Sequence, residues 1–143
     1  MSFDCIDQTS EPFPVLQLAL PKNRILLANA DTRTLSFLLT DAQRSTQNIL
    51  VQQRFSPNEW QILMLLLQSY PLAVSHDHLF ATLQHLAPQQ SRRQLHAAQR
   101  DGQLREILRP LREVVTSLRR KLQSFALGIA VQQGSGYTIT IRH

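Results

Sequence analysis

Hydrophobic and polar positions divide the chain into two textures. From residue 14 to 54 the alternation is strand-like: Leu16, Leu18 and Leu20 are separated by Gln17 and Ala19, and Leu35, Phe37 and Leu39 follow the same two-residue period. Pro21-Lys22-Asn23 forms a turn signal before a strand over Arg24 to Ala28, and Asn29 to Thr32 forms another. Asp41 to Gln47 is polar and loop-like, and Ile49 to Val51 reads as a short strand. The pattern predicts a small antiparallel sheet of three or four strands, preceded by a loose polar tail over 1–13.

At residue 55 the period changes to that of a helix. Ser56-Pro57-Asn58-Glu59 places a capping hydroxyl, a proline at the first helical position and a glutamate able to close a capping box. Phe55 and Trp60 form the matching hydrophobic staple, Ile62 to Leu67 is apolar on nearly every face, and Tyr70-Pro71 ends the helix. Ser75 caps a second helix, with Val74 and Leu79 as staple and Phe80, Leu83 and Leu86 at helical spacing. Residues 87–103 are polar and read as a long loop, with a helix over Arg92 to Arg100 as an alternative for part of it.

The most regular amphipathic segment spans 104–122. Leu104, Ile107, Leu108, Leu111, Val114, Val115, Leu118 and Leu122 make one apolar stripe. Arg109, Glu113, Thr116 and Arg120 lie opposite, flanked by Arg105, Arg112 and Arg119; Pro110 either starts the main helix or kinks it. Ile129 to Val131, a turn over 132–135, and Gly136 to Ile141 with alternating Tyr137, Ile139 and Ile141 predict a closing hairpin.

Composition narrows the class. At 143 residues, 43% hydrophobic and 17% charged, the chain is long and apolar enough to bury a core, which excludes wholesale disorder. Its longest aliphatic run, Ile62 to Leu67, is far below the ~20 residues of a membrane span. No secretion signal is evident, and a lone Cys5 suits a reducing compartment, so a cytoplasmic location is expected. Charge is unevenly spread. Residues 91–121 carry nine of the fifteen basic residues against three acids, whereas the rest of the chain is close to neutral. Such a segment is either a solvated helix face or a polyanion footprint.

The order of elements (sheet, helix, helix, long loop, basic helix, hairpin) corresponds to an α+β winged helix-turn-helix. It has an N-terminal antiparallel β platform over 14–54, and a three-helix core and hairpin wing over 55–143. The residues themselves resemble the DNA-binding effector domain of OmpR/PhoB-type transcription regulators from Val15 to Ile141. Phe55-Ser56-Pro57-Asn58-Glu59-Trp60-Gln61-Ile62-Leu63 is similar to that family's first-helix opening. Val74-Ser75 with Leu79 is similar to its second-helix start, and Ser117-Leu118-Arg119-Arg120-Lys121-Leu122 to its recognition-helix ending. Gly134-Ser135-Gly136-Tyr137 matches its wing signature. The chain departs from the family in three ways. Too few residues precede the first helix for a receiver domain, the membrane span of ToxR-like regulators is missing, and the connection from Ser75 to Leu111 is longer than usual. In the family that connection often contacts RNA polymerase. Ser117 and Gln133 also stand where many members carry arginine.

The resemblance implies binding of double-stranded DNA, as a homodimer on repeated half-sites. The helix over 104–122 would enter the major groove and the wing over 132–137 the minor groove. Arg112, Thr116 and Ser117 are expected nearest base edges. Arg109, Arg119, Arg120 and Lys121 are expected to grip phosphates or pack at the helix end. Gln133 and Ser135 are expected on phosphate or sugar, and Tyr137 in the core. Backbone N–H groups over Ser75 to Asp77 are a further phosphate candidate, with Asp77 working against it. About four to six phosphate contacts would give a logarithmic salt slope near −4 to −5.

Catalysis is not expected. Ser75-His76-Asp77-His78 does not converge on one helix face, and His78 and His85 lack a carboxylate or cysteine at ligand spacing. No phosphate loop or nucleophile elbow is present, and no metal or other cofactor is expected. The apolar stripe, too short for a coiled coil, reads as core. The alternative reading is a winged-helix interaction module that docks a partner regulator or RNA polymerase through 87–103. A third is a piece of a longer, membrane-anchored regulator continuing past His143.

Overall fold

A computed structural model describes residues 10–41, 46–132 and 136–142. Four antiparallel strands in chain order form the first layer: β1 (Ser10–Pro12), β2 (Arg24–Asn29), β3 (Thr34–Asp41) and β4 (Thr46–Arg54). Helix α1 (Pro14–Ala19) lies between β1 and β2. Five helices follow: α2 (Pro57–Ser69), α3 (His76–Gln84), α4 (Pro88–Arg100), α5 (Leu104–Ile107) and α6 (Arg109–Leu122). A 3-10 turn (Gln123–Phe125) leads into the hairpin of β5 (Leu127–Gln132) and β6 (Gly136–Ile141). The architecture is α+β, and one buried cluster running from Phe13 to Ile139 joins sheet, helices and hairpin.

Several expectations are corrected. Leu16, Leu18 and Leu20 do not alternate along a strand; they lie on and just after α1, which starts at Pro14. A spacing of four also places Leu16 and Leu20 on one helical face, where both are buried, while Leu18 points outward at 87% exposure. Gln17 locks the helix to β2, donating to the Arg24 carbonyl and accepting from the Leu26 N–H at 3.2 Å. The ordered platform also begins before residue 14, because β1 pairs with β2 and Phe13 is buried; residues 1–9 lie outside the described residues. The short strand at 49–51 extends over Thr46–Arg54, because pairing along β3 recruits polar neighbours that carry no alternation of their own.

The first helical starts form as expected. Ser56 N donates to Glu59 Oε1 at 2.8 Å and Glu59 N to Ser56 Oγ at 3.2 Å, a complete capping box, with the Phe55 and Trp60 rings 6.1 Å apart. Ser75 accepts from His78 N at 3.3 Å. Of the two readings of 87–103, the long loop is corrected: the helical alternative over Arg92 to Arg100 holds and begins earlier, as helix α4 from Pro88. Its buried side is only Ser91, Leu95 and Ala98, a stripe too small and too polar to stand out in the sequence. Ser91 is fully buried and donates to the Asp77 carbonyl at 2.7 Å, joining α4 to α3.

The continuous helix expected over 104–122 is divided. Its chain breaks at Leu108, with Pro110 in the first turn of α6, where a missing N–H costs nothing. The helix set therefore exceeds the three expected. α2, α3 and α6 form the centre, and α1, α4 and α5 are added around them. In the hairpin, Ile129 faces Ile139 and Val131 faces Tyr137. Val74 lies beside Tyr137, exchanging N–H to carbonyl bonds of 2.8 and 3.0 Å, and so ties the hairpin to the α2–α3 connection.

Candidate nucleic-acid interface

Helix α6 sets the geometry of the site. Leu111, Val115, Leu118 and Leu122 recur at intervals of four and three and are all buried. Burial of this stripe fixes the rotation of the helix, so Arg109, Glu113, Thr116 and Arg120 face solvent together. Arg105 on α5 is exposed as well. Arg109 pairs with Glu106, one turn back on α5, in a surface contact that gives little stability. Thr116 Oγ1 donates to the Arg112 carbonyl at 2.9 Å.

The flanking residues are more constrained. Arg112 is half-buried, its Nη2 donating to the Arg105 carbonyl at 2.9 Å, so the side chain bridges the break between α5 and α6. Its Nε is buried without a hydrogen-bond partner among the described residues. Arg119 donates from Nε to the Ile129 carbonyl at 3.0 Å and places its guanidinium 6.0 Å from the centre of the Tyr137 ring. It serves as a strut between α6 and the hairpin.

Ser117 and Lys121 turn inward to Glu59. Lys121 Nζ lies 2.7 Å from Glu59 Oε1 and 5.5 Å from the Phe55 ring centre, and the Ser117 hydroxyl donates to Glu59 Oε2. Burial of Glu59 opposes its charge. The Lys121 hydrogen bond, the Ser117 hydroxyl, the Ser56 N–H and the Lys121 charge outweigh that cost and lower its pKa from 4.5 to about 2. Ser117, expected nearest base edges, is held here by a carboxylate in the body of the protein. Nothing in the sequence marked this, since the capping box explains Glu59 without its tertiary partners.

Of the nine expected contact residues, α6 presents Arg109, Thr116 and Arg120 to solvent and leaves Arg112 at the edge of that face. Arg119, Ser117 and Lys121 are engaged within the fold. Gln133 and Ser135 lie outside the described residues. Tyr137 is buried, with the His76 ring edge-on at 5.2 Å. At the start of α3, Ser75 Oγ takes the His78 N–H, and Asp77, its pKa lowered chiefly by a Ser75 hydrogen bond, pairs with Arg92 at 3.4 Å.

Helix α4 adds a second basic surface. Arg93, His96 and Arg100 are exposed along it, and the helix contains no acidic residue. Among the described residues no group of three or more His, Cys, Asp or Glu is placed to hold a metal ion. No described helix is long and apolar enough to cross a membrane. Comparison with family models, with curated proteins and with solved structures finds no match to this chain.

Proposed function

We propose that this protein is a winged-helix transcription regulator that binds double-stranded DNA in a sequence-specific manner, as a homodimer on repeated half-sites. Helix α6 enters the major groove, and the β5–β6 hairpin lies beside the minor groove. The observation that carries this reading is the outer face of α6. Arg109, Thr116 and Arg120 share one exposed stripe on a helix whose opposite stripe is locked in the core and whose end is braced to the hairpin. A rigid helix with exposed guanidiniums supplies phosphate neutralisation, and Thr116 with a neighbouring arginine supplies hydrogen bonds to base edges. Arg105 and Arg112 extend the positive strip toward α5. Arg119, Ser117 and Lys121 hold the helix in position.

The test is selection from a random pool of duplex DNA at two salt concentrations. Enrichment of a repeated motif that weakens steeply with salt supports the reading and gives the half-site spacing. No binding at low salt rejects it.

One observation favours a second reading, in which the fold docks a partner regulator or RNA polymerase without specific DNA binding of its own. Ser117, Arg119 and Lys121 are engaged inside the protein, while α4 offers exposed Arg93, His96 and Arg100. Binding to the pool without enrichment of any motif would support it.

A further inference from the structure

We propose that the seam between the β platform and the C-terminal hairpin is a binding site for a small apolar organic monocarboxylate. A cleft of about 450 Å³ opens there, within the range typical of small-molecule sites. Its walls come from elements far apart in sequence. Leu20 and Pro21 follow α1, Phe37 and Val51 belong to β3 and β4, and Phe125 and Ile141 belong to the turn after α6 and to β6. The Phe37 and Phe125 rings lie 6.3 Å apart and tilted, forming an aromatic floor across the seam. Leu50 lines the same cleft and is 42% exposed, an apolar side chain left facing open space.

The polar groups on this apolar lining fix the chemistry of the occupant. Arg24 and Arg142 both line the cleft, and among the described side chains no carboxylate pairs with either. The Arg24 guanidinium lies 5.9 Å from the Phe37 ring centre, over the floor of the cleft. Arg142 is fixed through its backbone, whose N–H donates to the Ala126 carbonyl at 2.8 Å, while its side chain is exposed. Two guanidiniums without a carboxylate partner beside an aromatic floor match a ligand with one carboxylate and an apolar body. The planar donor fork suits a carboxylate, and the hydrophobic walls remove the remainder from water. A cation or a sugar would find neither charge complementarity nor enough acceptors. The site stands independently of the DNA-binding reading. Its occupant would touch the platform and Phe125, the last residue of the turn after α6, so both halves of the fold contribute to binding.

The probe is sodium decanoate, with methyl decanoate as its uncharged counterpart, titrated into the full-length protein. Binding is followed by backbone amide NMR shifts and by calorimetry. Saturable shifts confined to amides around Leu20, Phe37, Val51 and Phe125 are expected, with the ester binding about tenfold more weakly. Arg24→Gln combined with Arg142→Gln should weaken decanoate about tenfold and leave the ester unchanged. Leu50→Trp, which fills the cleft from an exposed strand position, should abolish binding of both. Three outcomes overturn the proposal: no saturable shift, shifts centred elsewhere, or equal binding of acid and ester that ignores the arginine changes.

Discussion

The Lys121 ammonium lies 2.7 Å from Oε1 of Glu59, joining the last turn of α6 to the first turn of α2 across 62 positions of sequence. Glu59 thereby does two things at once. Through the capping box it begins α2, and through Lys121 and Ser117 it ties down the helix that presents Arg109, Thr116 and Arg120. A carboxylate that is 7% exposed must be compensated on both oxygens, and here it is.

Stability should fall in acid because of this group. The folded pKa of Glu59, about 2, lies below the ordinary 4.5, so its contribution is complete above pH 4.5 and lost as pH falls toward 2. The shift corresponds to roughly 3 kcal/mol. Urea denaturation between pH 6 and 2 should show a smaller acid loss in Glu59→Gln than in the parent protein. Equal acid loss in both would exclude Glu59 as a source of the dependence.

Removing the partner instead of the acid should be costly at neutral pH. Lys121→Met leaves the buried Glu59 charge without its ammonium and should lower unfolding free energy by about 2 kcal/mol. The double variant with Glu59→Gln should recover part of that loss. A double-mutant cycle in urea measures the coupling, and additive effects would contradict the contact.

DNA affinity and stability should separate along α6. Arg109→Ala with Arg120→Ala removes two exposed guanidiniums and should cost at least tenfold in affinity, reducing the salt slope by about 2 at unchanged melting temperature. Arg119→Ala should do the reverse first. Loss of its bond to Ile129 and its contact with the Tyr137 ring should destabilise by about 1 kcal/mol and speed amide exchange in β5 and β6. Filter binding and hydrogen exchange on the two variants distinguish these roles.

Gly136 should tolerate no side chain. Its φ is +133°, and a Cβ added there would lie 1.9 Å from the Val74 carbonyl oxygen. Gly136→Ala must either break the Val74–Tyr137 bridge or shift the hairpin, and a loss of about 3 kcal/mol or more is expected. Thermal melting checks it, and a melting temperature within a degree or two of the parent would refute the close approach.

The sequence by itself determined the features that depend on nearest neighbours. The Ser56–Glu59 box, the Ser75 cap, the apolar stripe of α6 and the alternation of Tyr137, Ile139 and Ile141 are each legible because the interacting groups lie within a few residues of one another. Where a local pattern fits two geometries, tertiary packing chose. Leu16 and Leu20 satisfy both a strand and a helix, and α1 prevails because Pro14 opens it and Gln17 fastens it to β2. Helix α4 was legible only as an alternative over Arg92 to Arg100, because its buried side is one leucine, one alanine and a serine whose hydroxyl is satisfied by Asp77 on another helix. The candidate interface divides in the same way. That α6 has a basic outer face follows from its periodicity. Which of its polar residues remain available was decided by a glutamate 58 positions from Ser117 and by a carbonyl on the neighbouring strand, contacts that exist only once the chain has folded.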